Sequence, residues 1–297
     1  MQTNHNVALF HHADLQAVSY ARYGITGGLP AMYFHGLPGS SQEAQLLASA
    51  CQTLGVDLVA PDRFGFGQST RASGNRYLAW INAVAGLADA LGFRQFHVIA
   101  ASGGAPYGLA CASLLSERVL STRICCGLGS LAIPALRNSM GLFVRFVLSL
   151  AEKLPGLLRY GIGVPVSLAA RYFSRSSIQL MGLVNGEPDK SVLAEGSVRD
   201  IMSRNLRRAF HQGSQAAVAD LQAALQPWPF KLAGIRNLQC WHGDLDTIVP
   251  LVHAKWLTAQ VPGSRLYIVP GEGHFSLPIR HFATVVASLS EAPSCQA

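Results

Sequence analysis

Ser102 has the setting that most directly suggests chemistry. It stands in Val98-Ile99-Ala100-Ala101-Ser102-Gly103-Gly104-Ala105-Pro106, an apolar run that enters a serine flanked by very small residues and leaves as a helix. A serine on such a strained strand-to-helix elbow exposes its hydroxyl as a nucleophile. The residues two before and two after it must be small so that the strand and helix backbones can approach. Those residues are Ala100 and Gly104. The usual pattern has glycine at both positions, so Ala100 is a mild departure. Taken alone, the segment also fits a serine that merely caps a helix.

Two later segments offer partners. In Trp241-His242-Gly243-Asp244-Leu245-Asp246-Thr247-Ile248-Val249-Pro250, an apolar run ends in two carboxylates. Either could orient an imidazole and stabilise its charged form, and spacing alone does not choose between Asp244 and Asp246. In Pro270-Gly271-Glu272-Gly273-His274-Phe275, glycines on both sides of Glu272 let a loop carry His274 toward the end of a preceding strand. Serine, then aspartate, then histidine, each following a strand, is a chain order used for nucleophilic catalysis. His35-Gly36-Leu37-Pro38-Gly39-Ser40 adds a turn whose Leu37 N–H can join that of Gly103 at a developing oxyanion. The chemistry these groups suit is acyl transfer through a serine.

His35-Gly-Leu-Pro-Gly, Asp62-Arg-Phe-Gly-Phe-Gly-Gln-Ser69, the Ser102 elbow, His242-Gly-Asp-Leu-Asp246 and Gly271-Glu-Gly-His274 together resemble the successive signatures of the α/β-hydrolase superfamily. The likeness is to serine-nucleophile, esterase-like hydrolases with a helical cap. It implies a catalytic triad of Ser102, His274 and Asp246, because the family's acid is the later aspartate of such a motif. It also implies an oxyanion hole from Leu37 and Gly103, and a structural role for Asp62 and Arg63. The chain departs from haloalkane dehalogenases and soluble epoxide hydrolases, which place aspartate at the elbow. It has no Asp or Glu between Arg123 and Glu152, so an acid after the strand preceding the cap is also unavailable.

These residues need a scaffold. Met32–Phe34, Val56–Ala60, Phe96–Ala100 and Thr122–Cys126 read as strands, with helices at Gln42–Thr53 and Tyr77–Leu91. From Leu131 to Leu225 the pattern is helical only, with a capping-box spacing at Ser197 and Asp200. Strands resume at Leu238–His242 and Arg265–Val269. The expected fold is therefore α/β, a mostly parallel central sheet with helices on both faces. Residues 1–130 and 226–297 would form the core, and 131–225 an inserted helical cap over the sheet edge where ligands bind.

Composition narrows the function. Hydrophobic residues make up 49% of 297 and charged residues 13%, which argues against disorder. No transmembrane span or signal-peptide pattern is read, so a cytoplasmic location is expected. The six cysteines show no C-x-x-C spacing and read as free thiols. The net charge of +7 is dispersed, and Arg199, Arg204, Arg207 and Arg208 read as the solvated face of one helix rather than a nucleic-acid surface. Gly65-Phe-Gly67 lacks the rest of a phosphate loop, and His11, His12 and Asp14 read as a solvated turn, so neither a cofactor nor a metal is expected. The expected function is hydrolysis of an ester, or related carbonyl bond, of a small, partly apolar substrate through an acyl-enzyme. The alternatives are C–C bond hydrolysis or lyase chemistry with the same triad, or a slow or non-catalytic ligand receptor. Nothing in the sequence speaks to the oligomeric state.

Overall fold

The computed structural model describes residues 7–11, 17–71 and 76–290. His12, Asp14 and Cys295 lie outside the described residues. Eight strands form one sheet: β1 (Ala8–His11), β2 (Ala17–Gly24), β3 (Leu29–Phe34), β4 (Val56–Pro61), β5 (Phe96–Ala101), β6 (Val119–Cys125), β7 (Leu238–Gly243) and β8 (Arg265–Val269). Their spatial order is β1-β2-β4-β3-β5-β6-β7-β8. β2 runs antiparallel to both β1 and β4, and every other pairing is parallel. The six strands read from the sequence are present. The first two, which the sequence reading did not name, extend the sheet at one edge.

Side chains alternate across this sheet. Met32 and Phe34 of β3 enter a core with Val98 and Ala100, whereas Ala31 and Tyr33 enter the opposite one with Ile99 and Ala101. The first core is covered by α2 (Arg76–Ala90), α3 (Ala105–Leu114) and α12 (Val252–Gln260), through residues such as Trp80, Tyr107 and Leu257. The second is covered by α1 (Ala48–Thr53) and α13 (Ser276–Ala287), through Cys51, Leu277, Phe282 and Val285. A strand apolar on both sides is what a parallel sheet with helices on each face requires.

Between β6 and β7 lie α4 (Pro134–Ser139), α5 (Leu142–Lys153), α6 (Pro155–Leu157), α7 (Val164–Tyr172), α8 (Ser174–Asn185), α9 (Asp189–Ala194), α10 (Gly196–Ala209) and α11 (Gln215–Ala224). A π-helical turn at Leu158–Gly163 joins α6 to α7. These helices close two further apolar clusters, one around Met202 and Leu206 and one around Leu148 and Val218.

Two local expectations fail here. Ser197 does not cap α10: the N-cap position is Glu195, and Asp200 pairs with Arg175 at 2.6 Å. The α10 arginines are not simply solvated. Arg208 turns inward onto the fully buried Asp62 at 2.6 Å, because a buried carboxylate without a cation would be costly. Arg207 donates to Ser174 and Arg204 to Gln45.

Candidate active site

The topology decides where a site forms. β3 lies between β4 and β5, so the chain leaves β3 toward one side and β5 toward the other. The loops after these strands meet in the crevice that such a switch point opens. They are the His35–Gly39 turn and the Ser102 elbow.

Ser102 adopts φ +50°, a left-handed conformation that costs a non-glycine residue about 1–3 kcal/mol and persists where the surroundings enforce it. The small neighbours have measurable reasons. A Cβ on Gly104 would meet the Phe34 carbonyl oxygen at 2.2 Å, so the helix start presses on the end of β3. The departure at Ala100 is absorbed by Gly108 on α3, where a Cβ would come 2.9 Å from the Ala100 methyl. Strand and helix approach closely because one of the two residues lacks a side chain.

Histidine and acid meet this serine. His274 Nε2 lies 2.9 Å from Ser102 Oγ, and its Nδ1 lies 2.8 Å from Asp246 Oδ2. The other Asp246 oxygen accepts the backbone N–H groups of Ile248 and Val249 at 2.9 and 2.8 Å. Both rotational freedom and ionisation of the carboxylate are thereby constrained. Burial alone would raise the Asp246 pKa, but His274 and the hydrogen bonds it receives hold it below the usual carboxylate value. Burial would depress His274, yet the Asp246 charge and hydrogen bond outweigh this and leave its pKa above 6.5. With Nδ1–H donated to Asp246, neutral His274 presents Nε2 as an acceptor for the Ser102 hydroxyl. Asp244 instead accepts the Gly271 N–H at 2.7 Å on the exposed side of the loop.

The His35–Gly39 turn lies beside the elbow. A Cβ on Gly103 would lie 2.6 Å from the Leu37 Cβ and 3.4 Å from its nitrogen, so the two expected N–H donors are adjacent. The turn is held from below by Arg63, which donates to the His35 and Gly36 carbonyls and to Asp220 of α11 at 3.0 Å. His35 accepts the Arg63 N–H at Nε2, so its Nδ1 carries the proton that Gly36 O receives. Burial and the Arg63 charge push its pKa well below 6.5. Asp62 accepts from Ser19, Ser41 and Arg208. Gly67 must lack a side chain because a Cβ there would strike Asp62 Oδ2 at 2.2 Å. Gly65 and Gly67 therefore shape this loop.

Several contributors went unread in the sequence. Glu43 is buried and accepts from Tyr33 Oη at 2.6 Å and from the Gly36 N–H, and desolvation raises its pKa. Asn205 of α10 accepts from Ser40 N–H at 2.7 Å and donates toward Glu43. Asp189 of α9 accepts the N–H groups of His274, Phe275 and Ser276. Cys126, after β6, has its sulfur within 4.8 Å of ligand atoms from Asp246 and His274. That trio could hold a metal only by breaking the 2.8 Å His274–Asp246 contact. Burial also keeps the Cys126 thiol protonated, so the set fits a metal poorly.

Ser102 borders two cavities. One, of about 180 Å³, is lined by Tyr33, Glu43, Met202, Asn205, His274 and Phe282, among others. The other, of about 390 Å³, is almost entirely apolar, with Val147, Leu148, Ile162, Ala217, Val218 and Leu221 in its walls. Residues from the helices between β6 and β7 thus line both spaces beside Ser102. Among the described residues, no helix is long and apolar enough to cross a membrane.

A family model described as alpha/beta hydrolase fold matches residues 32–162. That span carries the switch-point strands, the turn and the elbow. The chain has the α/β-hydrolase fold. It is 28% identical over 283 residues to the 2-hydroxymuconate semialdehyde hydrolase of Pseudomonas putida, covering 89% of this chain and 88% of that protein. Among solved structures, an epoxide hydrolase from Vigna radiata superposes with a TM-score of 0.70 at 14% identity, covering 96% and 97% of the two chains. The enol-lactonase of Burkholderia xenovorans LB400 superposes with a TM-score of 0.67 at 17% identity, covering 96% and 100%. At these identities the structural likeness establishes the α/β-hydrolase fold alone.

Proposed function

We propose that this α/β-hydrolase is a serine esterase that cleaves a carboxylic ester bearing an apolar chain, and that residues 131–225 form its cap. The observation that carries the reading is the relay from Ser102 Oγ through His274 to Asp246, at 2.9 and 2.8 Å, on an elbow facing an apolar cavity. In this mechanism Ser102 Oγ bonds to the ester carbonyl carbon as its proton passes to His274 Nε2. The Leu37 and Gly103 N–H groups donate to the resulting oxyanion. When the tetrahedral adduct collapses, the C–O bond to the leaving alcohol breaks and that oxygen takes the proton from His274. Water then attacks the acyl-Ser102 ester, again through His274, releasing the acid and restoring the serine. Asp246 holds the tautomer and stabilises the imidazolium, without itself taking the proton.

The larger cavity fits an aliphatic acyl chain, because its walls offer apolar surface and few polar groups to leave unsatisfied. The smaller one, with Glu43, Tyr33 and Asn205, fits a leaving group that carries a hydroxyl.

A second reading is C–C bond hydrolysis, favoured by the name of the Pseudomonas putida relative. A muconate-derived chain carries a carboxylate. Neither cavity is lined by Lys or Arg among the described residues, and one holds a buried glutamate. An anionic chain would find no cationic partner in either. The discriminating experiment is turnover of 4-nitrophenyl esters from acetyl to dodecanoyl beside a vinylogous 1,5-diketone acid. Ester turnover that favours the longer chains is expected. Cleavage of the diketone acid with no ester turnover would replace this reading by the second.

A further inference from the structure

Most of the large apolar side chains left exposed among the described residues fall between Leu142 and Val184, in the insert. On α5 both faces are apolar. Val144, Val147, Leu148 and Ala151 turn inward, while Leu142, Phe143 and Phe146 stand 81%, 69% and 54% exposed. The chain then continues with Leu157 at 57% and Tyr160 at 66%. A water-facing helix ordinarily places polar residues there, and a contiguous apolar face of this kind marks an interaction surface.

The charge on the same segment is one-sided. Between Leu131 and Gly186 the basic residues are Arg137, Arg145, Lys153, Arg159, Arg171 and Arg175, and the only acid is Glu152. Glu152 is already taken by Arg137 at 2.7 Å, and Arg175 reaches Asp200 of α10. Among the described residues, no salt bridge joins Arg145, Lys153, Arg159 or Arg171 to an acid. Arg159 rests over the Tyr160 ring at 5.1 Å, so a cation and an exposed aromatic are presented together. Apolar and aromatic side chains interleaved with unpaired cations are the composition of helices that lie in a lipid interface.

We propose that the α5–α7 face of the insert docks on an anionic phospholipid bilayer, with its apolar side chains entering the acyl boundary and its cations meeting the headgroups. The position of the apolar cavity agrees with this, since exposed Phe143 and Val166 belong both to this face and to the cavity wall. The surface would therefore bring lipid to the cavity's opening. A second copy of the chain fits less well. A two-fold interface would bring two cationic faces together, with no free carboxylate on the segment to oppose them. This inference concerns the surface and holds whichever bond Ser102 cleaves.

The test is co-sedimentation of the full chain with vesicles of phosphatidylcholine alone and of phosphatidylcholine mixed with phosphatidylglycerol. Binding to the mixed vesicles, weakened by high salt and much weaker on phosphatidylcholine alone, is expected. A Phe146→Ser, Tyr160→Ser double variant should lose most of that binding. Lys153→Glu with Arg159→Glu should weaken it by more than about five-fold for each cation removed. Thermal melts of both variants check that the fold is intact, and sedimentation velocity checks their assembly state. Binding equal on neutral and anionic vesicles, or unchanged in folded variants, would overturn the proposal. So would no vesicle binding together with a dimer that the apolar variant dissociates, which would make the face a contact between copies.

Discussion

The backbone N–H of His274 donates to the carboxylate of Asp189, 3.0 Å away, although the two residues are 85 positions apart in the chain. The neighbouring N–H groups of Phe275 and Ser276 donate to the other oxygen, both at 2.9 Å. An acid of the insert thus caps the start of α13 and fixes the loop that carries the histidine. The arrangement suits a helix N-terminus, where unpaired N–H groups and the helix dipole both favour an anion.

Asp189→Ala should lower stability by about 1–3 kcal/mol, since buried N–H groups lose their acceptor, and this is measurable by urea denaturation. Asp189→Asn keeps an acceptor but removes a charge that raises the His274 pKa. His274 must be neutral to take the Ser102 proton, so activity should rise with pH through a midpoint above 6.5 in the natural protein. In Asp189→Asn that midpoint should move down, and the variant should keep a larger share of its maximal kcat/KM at mildly acid pH. An unmoved acid limb would reduce Asp189 to a structural cap.

The two aspartates after β7 should separate sharply. Asp246→Asn should reduce kcat by about 10³- to 10⁴-fold, because an amide no longer fixes the imidazole tautomer. Asp244→Asn still offers an oxygen to the Gly271 N–H and should stay within a few-fold of the natural rate. Steady-state kinetics on one ester decide this, and equal losses would overturn the choice of Asp246.

What the sequence made legible follows a physical rule. β3 to β8 are short apolar runs bounded by turns, and Ser102, Asp246 and His274 each follow one of them, so local pattern pointed to the scaffold and to the candidate site. β2 escaped notice because Ser19 and Arg22 break up its apolar content, and β1 because it is only four residues long. Ser19 hydrogen-bonds Asp62, and Arg22 pairs with Asp57 at 2.5 Å. Glu43, Asn205 and Asp189 were illegible for another reason. The partners of Asn205 and Asp189 lie on remote segments, as with Asn205 and Ser40, 165 residues apart, and Glu43 meets Tyr33 and Gly36 only once the intervening turn folds back. The same limit misled the reading of Arg208, whose helical position faces outward until a buried Asp62 brought up by the fold draws it in.

The departure from glycine at Ala100 makes a packing prediction. Gly108→Ala should destabilise the fold by about 1–3 kcal/mol, since its methyl would press on Ala100 and on Val98 Cγ1 at 3.2 Å. Adding Ala100→Gly should recover part of that loss, and a double-mutant cycle by denaturation measures the coupling. Strict additivity would mean the two positions do not share the space.

Residues of the insert should select the substrate. Ala217 lines the larger cavity, and Ala217→Phe shortens it. The ester preference should shift toward short acyl chains, with each excluded methylene worth about 1–3 kcal/mol in relative kcat/KM. Unchanged ranking across the 4-nitrophenyl ester series would place the acyl chain elsewhere.

The central claim is a covalent acyl intermediate on Ser102, and its most direct measurement is labelling with a fluorophosphonate, read by intact mass and peptide mapping. One adduct per chain is predicted, on the peptide carrying Ser102 and absent from Ser102→Ala, whose ester turnover should fall by about 10³-fold or more. An adduct on another residue, or undiminished turnover in Ser102→Ala, would contradict the account.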